Sequence, residues 1–243
     1  MENKIEKLQE LIDNAKKIVF FGGAGVSTES GIKDFRSKDG LYSLKSKFDV
    51  PYEVMLSHSY FENNTENFFK FYKEFMINED AKPNACHNYL SKKEKEGKKI
   101  TIITQNIDGL HQMAGSKNVI ELHGSIHRNF CEKCGRSYPL DFIENSKDII
   151  PICPKCGGVI KPDVVLYEEP LNEYIIARSV IALQEADLLI VAGTSLNVYP
   201  AAGLIDYFYG GNIVVINKDH LPISREIKLE INEKIGEVFR QLK

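Results

Sequence analysis

The sequence predicts an α/β protein: a parallel sheet with helices on both faces, carrying a smaller inserted domain made of a helical segment and a four-cysteine zinc ribbon. Three observations predict it. Four short apolar runs alternate with helical patterns along the chain. Each run ends in glycine or polar residues. Four of the five cysteines fall in two Cys-x-x-Cys pairs.

Met1–Lys17 sets Ile5, Leu8, Leu11 and Ile12 on one face and reads as the first helix. Lys17–Phe21 follows as a buried strand. Residues 38–76 lack a clear strand and carry Phe61, Phe68, Phe69, Phe71, Tyr72 and Phe75 at helical spacing. A helix over Asn84–Lys95 then feeds a strand over Ile100–Thr104. The pattern repeats with Tyr174–Glu185 into Asp187–Ala192, and with Ala201–Phe208 into Ile213–Asn217. Residues 127–161, rich in Gly and Pro around the cysteines, interrupt the alternation and join 38–76 as the insert. The four strands run into Gly22-Gly23-Ala24-Gly25, Thr104-Gln105-Asn106, Gly193-Thr194-Ser195 and Asn217-Lys218-Asp219. Ligands of open α/β sheets bind outside the carboxyl ends of strands, so all four endings point at one crevice.

Composition narrows the function classes. The 243 residues are 43% hydrophobic, enough chain to bury a core without disulfides. Lysine plus arginine number 31 against 34 acidic residues, which argues against nucleic acid as a specific partner. The longest apolar stretch, Ile18–Val26, holds three glycines and falls short of the roughly 18 residues of a membrane span. The residues before it mix both charges, unlike a signal peptide. A cytoplasmic protein with no membrane partner is expected.

Cys131-x2-Cys134 and Cys153-x2-Cys156, 18 residues apart, have the spacing of a structural zinc site. Gly135 and Gly157 follow the pairs and permit the knuckle turns. Four thiolates leave no open coordination position, so the metal is structural rather than catalytic. A redox dithiol is the alternative, but the strand context of a thioredoxin-like unit is absent. Cys86 reads as a small apolar residue on a helix.

The Gly22–Thr28 loop follows a strand, where backbone N–H groups can approach a pyrophosphate. Alone it fits a plain tight turn equally well. Thr28 stands where the dinucleotide fingerprint has its third glycine, and no strand ending in Asp or Glu follows about 20 residues later. A hydride-transferring dehydrogenase is therefore disfavoured.

The extension of that loop, Ala24-Gly25-Val26-Ser27-Thr28-Glu29-Ser30-Gly31-Ile32-Lys33-Asp34-Phe35-Arg36-Ser37, closely resembles the sirtuin family of NAD-dependent protein deacylases, of the bacterial type with a single catalytic core. The resemblance continues through Thr104-Gln105-Asn106-Ile107-Asp108-Gly109-Leu110-His111, Glu121-Leu122-His123-Gly124, the four cysteines, Lys161–Tyr167, Gly193-Thr194-Ser195-Leu196 and Asn217. Two positions depart from the family pattern: Lys33 stands for Pro, and Glu168 stands for the Gly before the glutamate.

The resemblance implies a Rossmann-like NAD-binding domain over 1–37, 77–126 and 162–243, with 38–76 and 127–161 forming the small helical and zinc-binding domain. It implies NAD as cosubstrate, one structural Zn2+, and acylated-lysine proteins or peptides as substrates. The acyl oxygen would attack the ribose carbon as nicotinamide leaves, giving free lysine and acylated ADP-ribose. His123 is then the base for a ribose hydroxyl, since an imidazole titrates near neutrality. His58, His127 and His220 read as solvated, His87 as a satisfied structural residue, and His111 as a residue that orients neighbours. Asn106 would orient ribose or water, and Asp108 with the Ile107 backbone would hold the carboxamide. Phe35 would cover the base pocket, and Arg36 would steady the phosphates.

Ala24, Thr28 and Gln105 would line the diphosphate region. Thr194 and Ser195 would meet a phosphate or ribose, Asn217 the adenosine ribose and Ile235 the adenine; for Ser195 and Asn217, capping of the following turn is the alternative. The peptide would add as a strand between Val164–Tyr167 and Asn197–Pro200, with Val165 and Tyr167 lining the acyl-lysine tunnel; a core strand followed by a surface turn is the alternative. Family members that prefer succinyl or malonyl groups carry Tyr-x-x-Arg after the first loop. Here Tyr52 is followed by Met55, with no arginine between Arg36 and Arg128, so an uncharged acyl group such as acetyl is expected. Mono-ADP-ribosyl transfer to protein, and a zinc-ribbon binding module without catalysis, are the competing readings.

Overall fold

The computed structural model describes residues 2–35, 40–43 and 50–243. Arg36 and parts of the 38–76 segment lie outside them. In chain order the elements are α1 (Glu2–Asn14), β1 (Lys17–Gly22), α2 (Tyr52–Met55), α3 (His58–Asn63), α4 (Thr65–Phe71), α5 (Ala85–Lys95), β2 (Lys99–Thr104), α6 (Leu110–Ala114) and β3 (Val119–Glu121). There follow β4 (Gly124–Cys131), β5 (Ser137–Pro139), α7 (Leu140–Glu144), β6 (Ile160–Val164), α8 (Glu173–Glu185), β7 (Leu188–Ala192), β8 (Asn212–Ile216), β9 (Leu229–Ile231) and α9 (Ile235–Arg240). Among the described residues no helix is long and apolar enough to cross a membrane.

Six strands form a parallel sheet in the order β3-β2-β1-β7-β8-β9. Strand period sorts its side chains onto two cores. Ile18, Phe20, Ile100, Ile102, Leu188, Ile190, Val214 and Ile216 pack on α1, α5 and α9. Val19, Phe21, Ile103, Leu189, Val191, Ile213 and Val215 pack on α8 and the 201–207 segment. Such two-sided burial is why these strands read as continuous apolar runs rather than alternations.

The four strands expected from sequence are those at the centre of this sheet. Edge strands β3 and β9 have only three residues each and show no readable period. The expected helix over Ala201–Phe208 is instead a 3-10 helix over Ala201–Tyr207. Its buried residues are Ala201 with Leu204 and Ala202 with Ile205, pairs three apart that a three-residue turn brings onto one face.

A second, antiparallel sheet of order β5-β4-β6 carries Cys131 at the end of β4, with Cys134, Cys153 and Cys156 in the segments between its strands. Its core is shared with the aromatic helices: Phe61, Phe68, Phe69 and Tyr72 pack with Ile126, Tyr138, Leu140, Ile143 and Ile160. The two segments that break the α/β alternation therefore bury each other's apolar faces. The chain continues from α4 into one π-helical turn, Tyr72–Met76.

The four cysteine Sγ atoms lie within 4.8 Å of one another. Cys131 and Cys156 are 3.4 Å apart and Cys134 and Cys153 3.8 Å. A disulfide would be about 2.05 Å, whereas a zinc tetrahedron with Zn–S of about 2.3 Å has sulfur–sulfur edges of about 3.8 Å. Gly135 (φ 67°) and Gly157 (φ 70°) turn the knuckles in the left-handed region. Their N–H groups donate to Cys131 O and Cys153 O at 2.8 and 2.9 Å. The cluster fits a closed structural zinc site.

Asn84 ties helix to loop. Its Oδ1 accepts from the Cys86 N–H at 3.0 Å, and a reciprocal bond from its own N–H to His87 Nδ1 completes a capping box on α5. Its Nδ2 donates to Val26 O at 2.7 Å and Ser30 Oγ at 3.0 Å.

Two outcomes follow for the scaffold. Asn84→Ala removes a cap and two loop tethers, so chemical denaturation is expected to show a loss of about 2–3 kcal/mol; a loss near the ~0.5 kcal/mol of an inert surface change would refute the tether. Metal analysis is expected to find about one zinc per chain, and a strong chelator should open 124–164 to protease while the parallel sheet persists.

Candidate active site

The registers Gly22↔Thr104, Gly22↔Ala192 and Ala192↔Ile216 bring the carboxyl ends of β1, β2, β7 and β8 level. Sequence order reverses between β1 and β7, so a crevice opens there. Two backbone loops meet across it. The Gly25 N–H donates to Gly193 O at 2.8 Å, and the Gly23 N–H to Ala192 O at 3.1 Å. A Cβ on Gly25 would lie 2.7 Å from Gly193 Cα, and one on Gly193 (φ 58°) 2.5 Å from Val26 N. Only glycine fits on both sides.

From this seam a polar relay runs under the crevice. Ser27, 1% exposed, donates through Oγ to Asp108 Oδ2 at 2.7 Å and accepts from Asn106 Nδ2 at 3.0 Å. Asp108 Oδ1 accepts from the Leu110 N–H at 2.9 Å, at the start of α6. Burial raises the Asp108 carboxyl above its ordinary value of 3.8, with the Leu110 and Ser27 hydrogen bonds acting against it. Ile107 O accepts from Ile126 N–H at 3.0 Å. Thr194, 8% exposed, accepts through Oγ1 from Gln105 Nε2 and Leu196 N–H, both at 3.1 Å. The β1, β2 and β7 loops are thereby cross-linked.

His123 Nδ1 lies 3.0 Å from Gln105 O. A carbonyl only accepts, so Nδ1 carries the proton and Nε2 keeps a lone pair. Burial holds the imidazole below its ordinary 6.5, the Gln105 bond opposing the shift. The His123 carbonyl in turn accepts from Val165 N–H at 3.0 Å. Two residues on, Tyr167 is 37% exposed, its Oη 3.1 Å from Tyr42 Oη. Phe35 stacks at a tilt on Tyr42, centroids 5.4 Å apart.

Of the remaining candidates, Ala24 and Thr28 lie on the loop, with Thr28 Oγ1 donating to Gly25 O at 3.1 Å. Ser195 is exposed beside Thr194. Asn217 stands at the end of β8 with Nδ2 donating to Asp219 O at 2.8 Å, which caps the following turn. Ile235 begins α9, its Cδ1 at 2.7 Å from where a Gly193 Cβ would sit. Arg36 lies outside the described residues.

The other histidines differ in part from expectation. His58 pairs with Glu169 at 2.9 Å and His220 with Glu230 at 2.7 Å, while His127 Nε2 donates to Asp108 O at 3.1 Å. His111 orients nothing by hydrogen bonding among the described residues: both ring nitrogens are buried without a partner. Its ring packs 4.6 Å from His87 and 5.9 Å from Phe20. His87 is satisfied only at Nδ1, and its Nε2 has no partner. Burial lowers His87 to about 4 and pushes His111 well below its ordinary value, so both are neutral. Tyr52 and Met55, from which acyl preference was read, are core residues; Tyr52 packs 5.0 and 5.3 Å from Phe71 and Phe75. Both belong to a cluster with Leu41, Leu56 and Phe71.

Ser27 was absent from the sequence-derived site. Its position inside the glycine loop was visible, but its two partners are 79 and 81 residues away.

Residues 23–200 match the model of the Sir2 family. The chain is 59% identical over 237 residues to an NAD-dependent protein deacetylase of Clostridium acetobutylicum, covering 98% of this chain and 97% of that one. It is 57% identical over 234 residues to an NAD-dependent protein deacetylase of Clostridium tetani, covering 96% and 95%. Among solved structures, a Sir2 with a deacetylated p53 peptide and 3'-O-acetyl ADP-ribose superposes with TM-score 0.87 at 35% identity, over 98% of this chain and 96% of that one. A Sir2 complex with p53 peptide and NAD+ gives TM-score 0.85 at 36% identity, with the same coverages. A parallel sheet with a glycine seam, a histidine held by a main-chain carbonyl and a four-cysteine module thus agree with the sequence comparison: the chain belongs to the Sir2 family.

Proposed function

We propose that the protein is an NAD-dependent protein lysine deacetylase, which transfers the acetyl group to ADP-ribose and releases nicotinamide. The observation that carries this reading is the His123 imidazole, fixed as the Nδ1–H tautomer by Gln105 O beside the Asn106–Ser27–Asp108 relay. Relatives of nearly full length bear that activity in their names. NAD supplies a glycosidic carbon that the acyl oxygen attacks once the nicotinamide bond weakens.

The chain's own residues do the rest. Asp108 and the Ile107 backbone hold the carboxamide, and Asn106, oriented by Ser27, steadies ribose or water. Gln105, Thr194, Ser195, Ala24 and Thr28 frame the diphosphate. Arg36 adds a cation there, Asn217 meets the adenosine ribose and Ile235 flanks the adenine. Phe35 covers the nicotinamide end and excludes water. His123 Nε2 takes the ribose hydroxyl proton, a step worth about 10²–10⁴ in rate. Acetylated peptide lies along Val165–Tyr167, with the acyl-lysine beside Val165 and Tyr167. Residues 1–37, 77–126 and 162–243 act as the NAD-binding domain, and 38–76 with 127–161 as the smaller helical and zinc-binding domain. We infer a cytoplasmic setting from the thiolate cluster, which a reducing compartment preserves.

Mass spectrometry of an acetyl-lysine peptide incubated with and without NAD is expected to show deacetylated peptide, nicotinamide and acetyl-ADP-ribose only with NAD. His123→Ala should lower turnover by about 10²–10⁴ with zinc content and fold unchanged. Transfer of labelled ADP-ribose onto protein without peptide deacetylation would sink the reading. The base must be neutral, and burial lowers its pKa. Activity is therefore retained as pH falls and lost only below the ordinary value. The acidic limb of kcat/KM is expected to have its midpoint below pH 6.5; a midpoint above it would point to another base.

A further inference from the structure

Glu168 sits where the family pattern has glycine, and its backbone shows why glycine suits the place. Its φ is 76°, in the left-handed region, and Leu196 (φ 53°) is the other such non-glycine among the described residues. A side chain with no local reward is disfavoured there. Glu168 has one. Its Oε2 accepts from the Ser59 N–H at 2.8 Å and its Oε1 from the Ser59 hydroxyl at 2.9 Å, in the first turn of α3. These bonds hold the carboxyl below its ordinary value.

The clasp lies at one end of a short extended segment. At the inner end, Val165 N–H is bonded to the carbonyl of His123. At the outer end, Tyr167 N–H donates to Leu56 O at 2.9 Å and His58 N–H donates to Tyr167 O at 3.0 Å, a parallel bridge between Ser57 and Tyr167. Glu169, paired with His58 at 2.9 Å and Lys161 at 3.1 Å, also accepts through Oε2 from the Leu166 N–H of this segment at 2.8 Å. Residues 165–168 thus span from the candidate base to the helical segment, and the last anchor of that span is a side chain this position does not ordinarily carry.

We propose that Glu168 is a positioning residue for the acyl-lysine substrate: by clasping Ser59 it fixes the outer end of the 165–168 segment, so that an incoming peptide strand meets an edge already in register with His123. The kinetic arm rests on the deacetylase reading; the clasp itself does not. A preformed edge removes ordering cost from substrate binding, so the effect belongs in peptide affinity rather than in the chemical step.

Four variants test it. Glu168→Gly removes both the clasp and the backbone strain, Glu168→Ala removes the clasp and keeps the strain, Glu168→Gln keeps an acceptor oxygen, and Ser59→Ala removes the hydroxyl donor. Glu168→Gly and Glu168→Ala are expected to raise KM for an acetylated peptide about fivefold, with kcat and the KM for NAD within about twofold. Glu168→Gln should stay within about twofold of the parent, and Glu168→Ala should cost less in the Ser59→Ala background than alone. Only Glu168→Ala should lower the melting temperature appreciably. In hydrogen exchange, the 57–61 peptide should exchange faster in Glu168→Gly. Unchanged peptide KM in both Gly and Ala variants, parallel falls in kcat and NAD affinity, or unchanged exchange at 57–61 would each overturn the proposal. A parent enzyme that turned over no acetylated peptide would defeat the deacetylase reading alone, and the exchange measurement would still decide the clasp.

Discussion

The site depends on a backbone-to-backbone contact, the hydrogen bond from Gly25 N–H to Gly193 O across the gap between β1 and β7. It forms because neither residue has a Cβ; one on either would fall inside the other loop's main chain. The loops after β1 and β7 both hang from this contact. Val26 and Ser27 follow Gly25, Thr194 follows Gly193, and Ile235 packs against the same point. An open parallel sheet otherwise splays its loops at the reversal of strand order, which leaves room for a ligand but nothing to hold it. The glycine seam holds the two loops together at that reversal.

Above the seam the polar groups are arranged so that few have freedom. Ser27 joins Asn106 to Asp108, Thr194 joins Gln105 to its own loop, and the Gln105 carbonyl sets the tautomer of His123. A half-buried relay of this kind fixes orientation before any substrate arrives, and electrostatic preorganisation of that sort is a large part of catalysis. Burial acts oppositely on its two titrating members. It raises the Asp108 carboxyl and lowers the His123 imidazole, so each is displaced towards its neutral form.

The smaller antiparallel sheet and the aromatic helices are stabilised in a different way. Neither segment has an apolar core of its own size, so each covers the other, and four thiolates clamp the far end of the sheet. Metal in this place acts on folding rather than on chemistry. Its functional consequence is positional: the Ser57–Tyr167 bridge and the Glu168 clasp join the helices to the segment leading back to His123.

The residues alone determined the four central strands, the convergence of their carboxyl ends and the cysteine site; His123 was singled out by the family resemblance. Those are local or periodic signals: apolar runs, glycine punctuation, Cys-x-x-Cys spacing, and motifs read in order. Beyond their reach were β3 and β9, too short for a period, and the 3-10 turn at 201–207, where burial rather than propensity chose the pitch. Also unreadable were Ser27 as the hub of the relay, the tilted packing of His111 against His87, and the core placement of Tyr52 and Met55. Tertiary structure decided these because each depends on what lies opposite in space, across tens of residues of chain. A pattern of residue types carries how far apart two groups are along the backbone, and only the packed fold sets which of them touch.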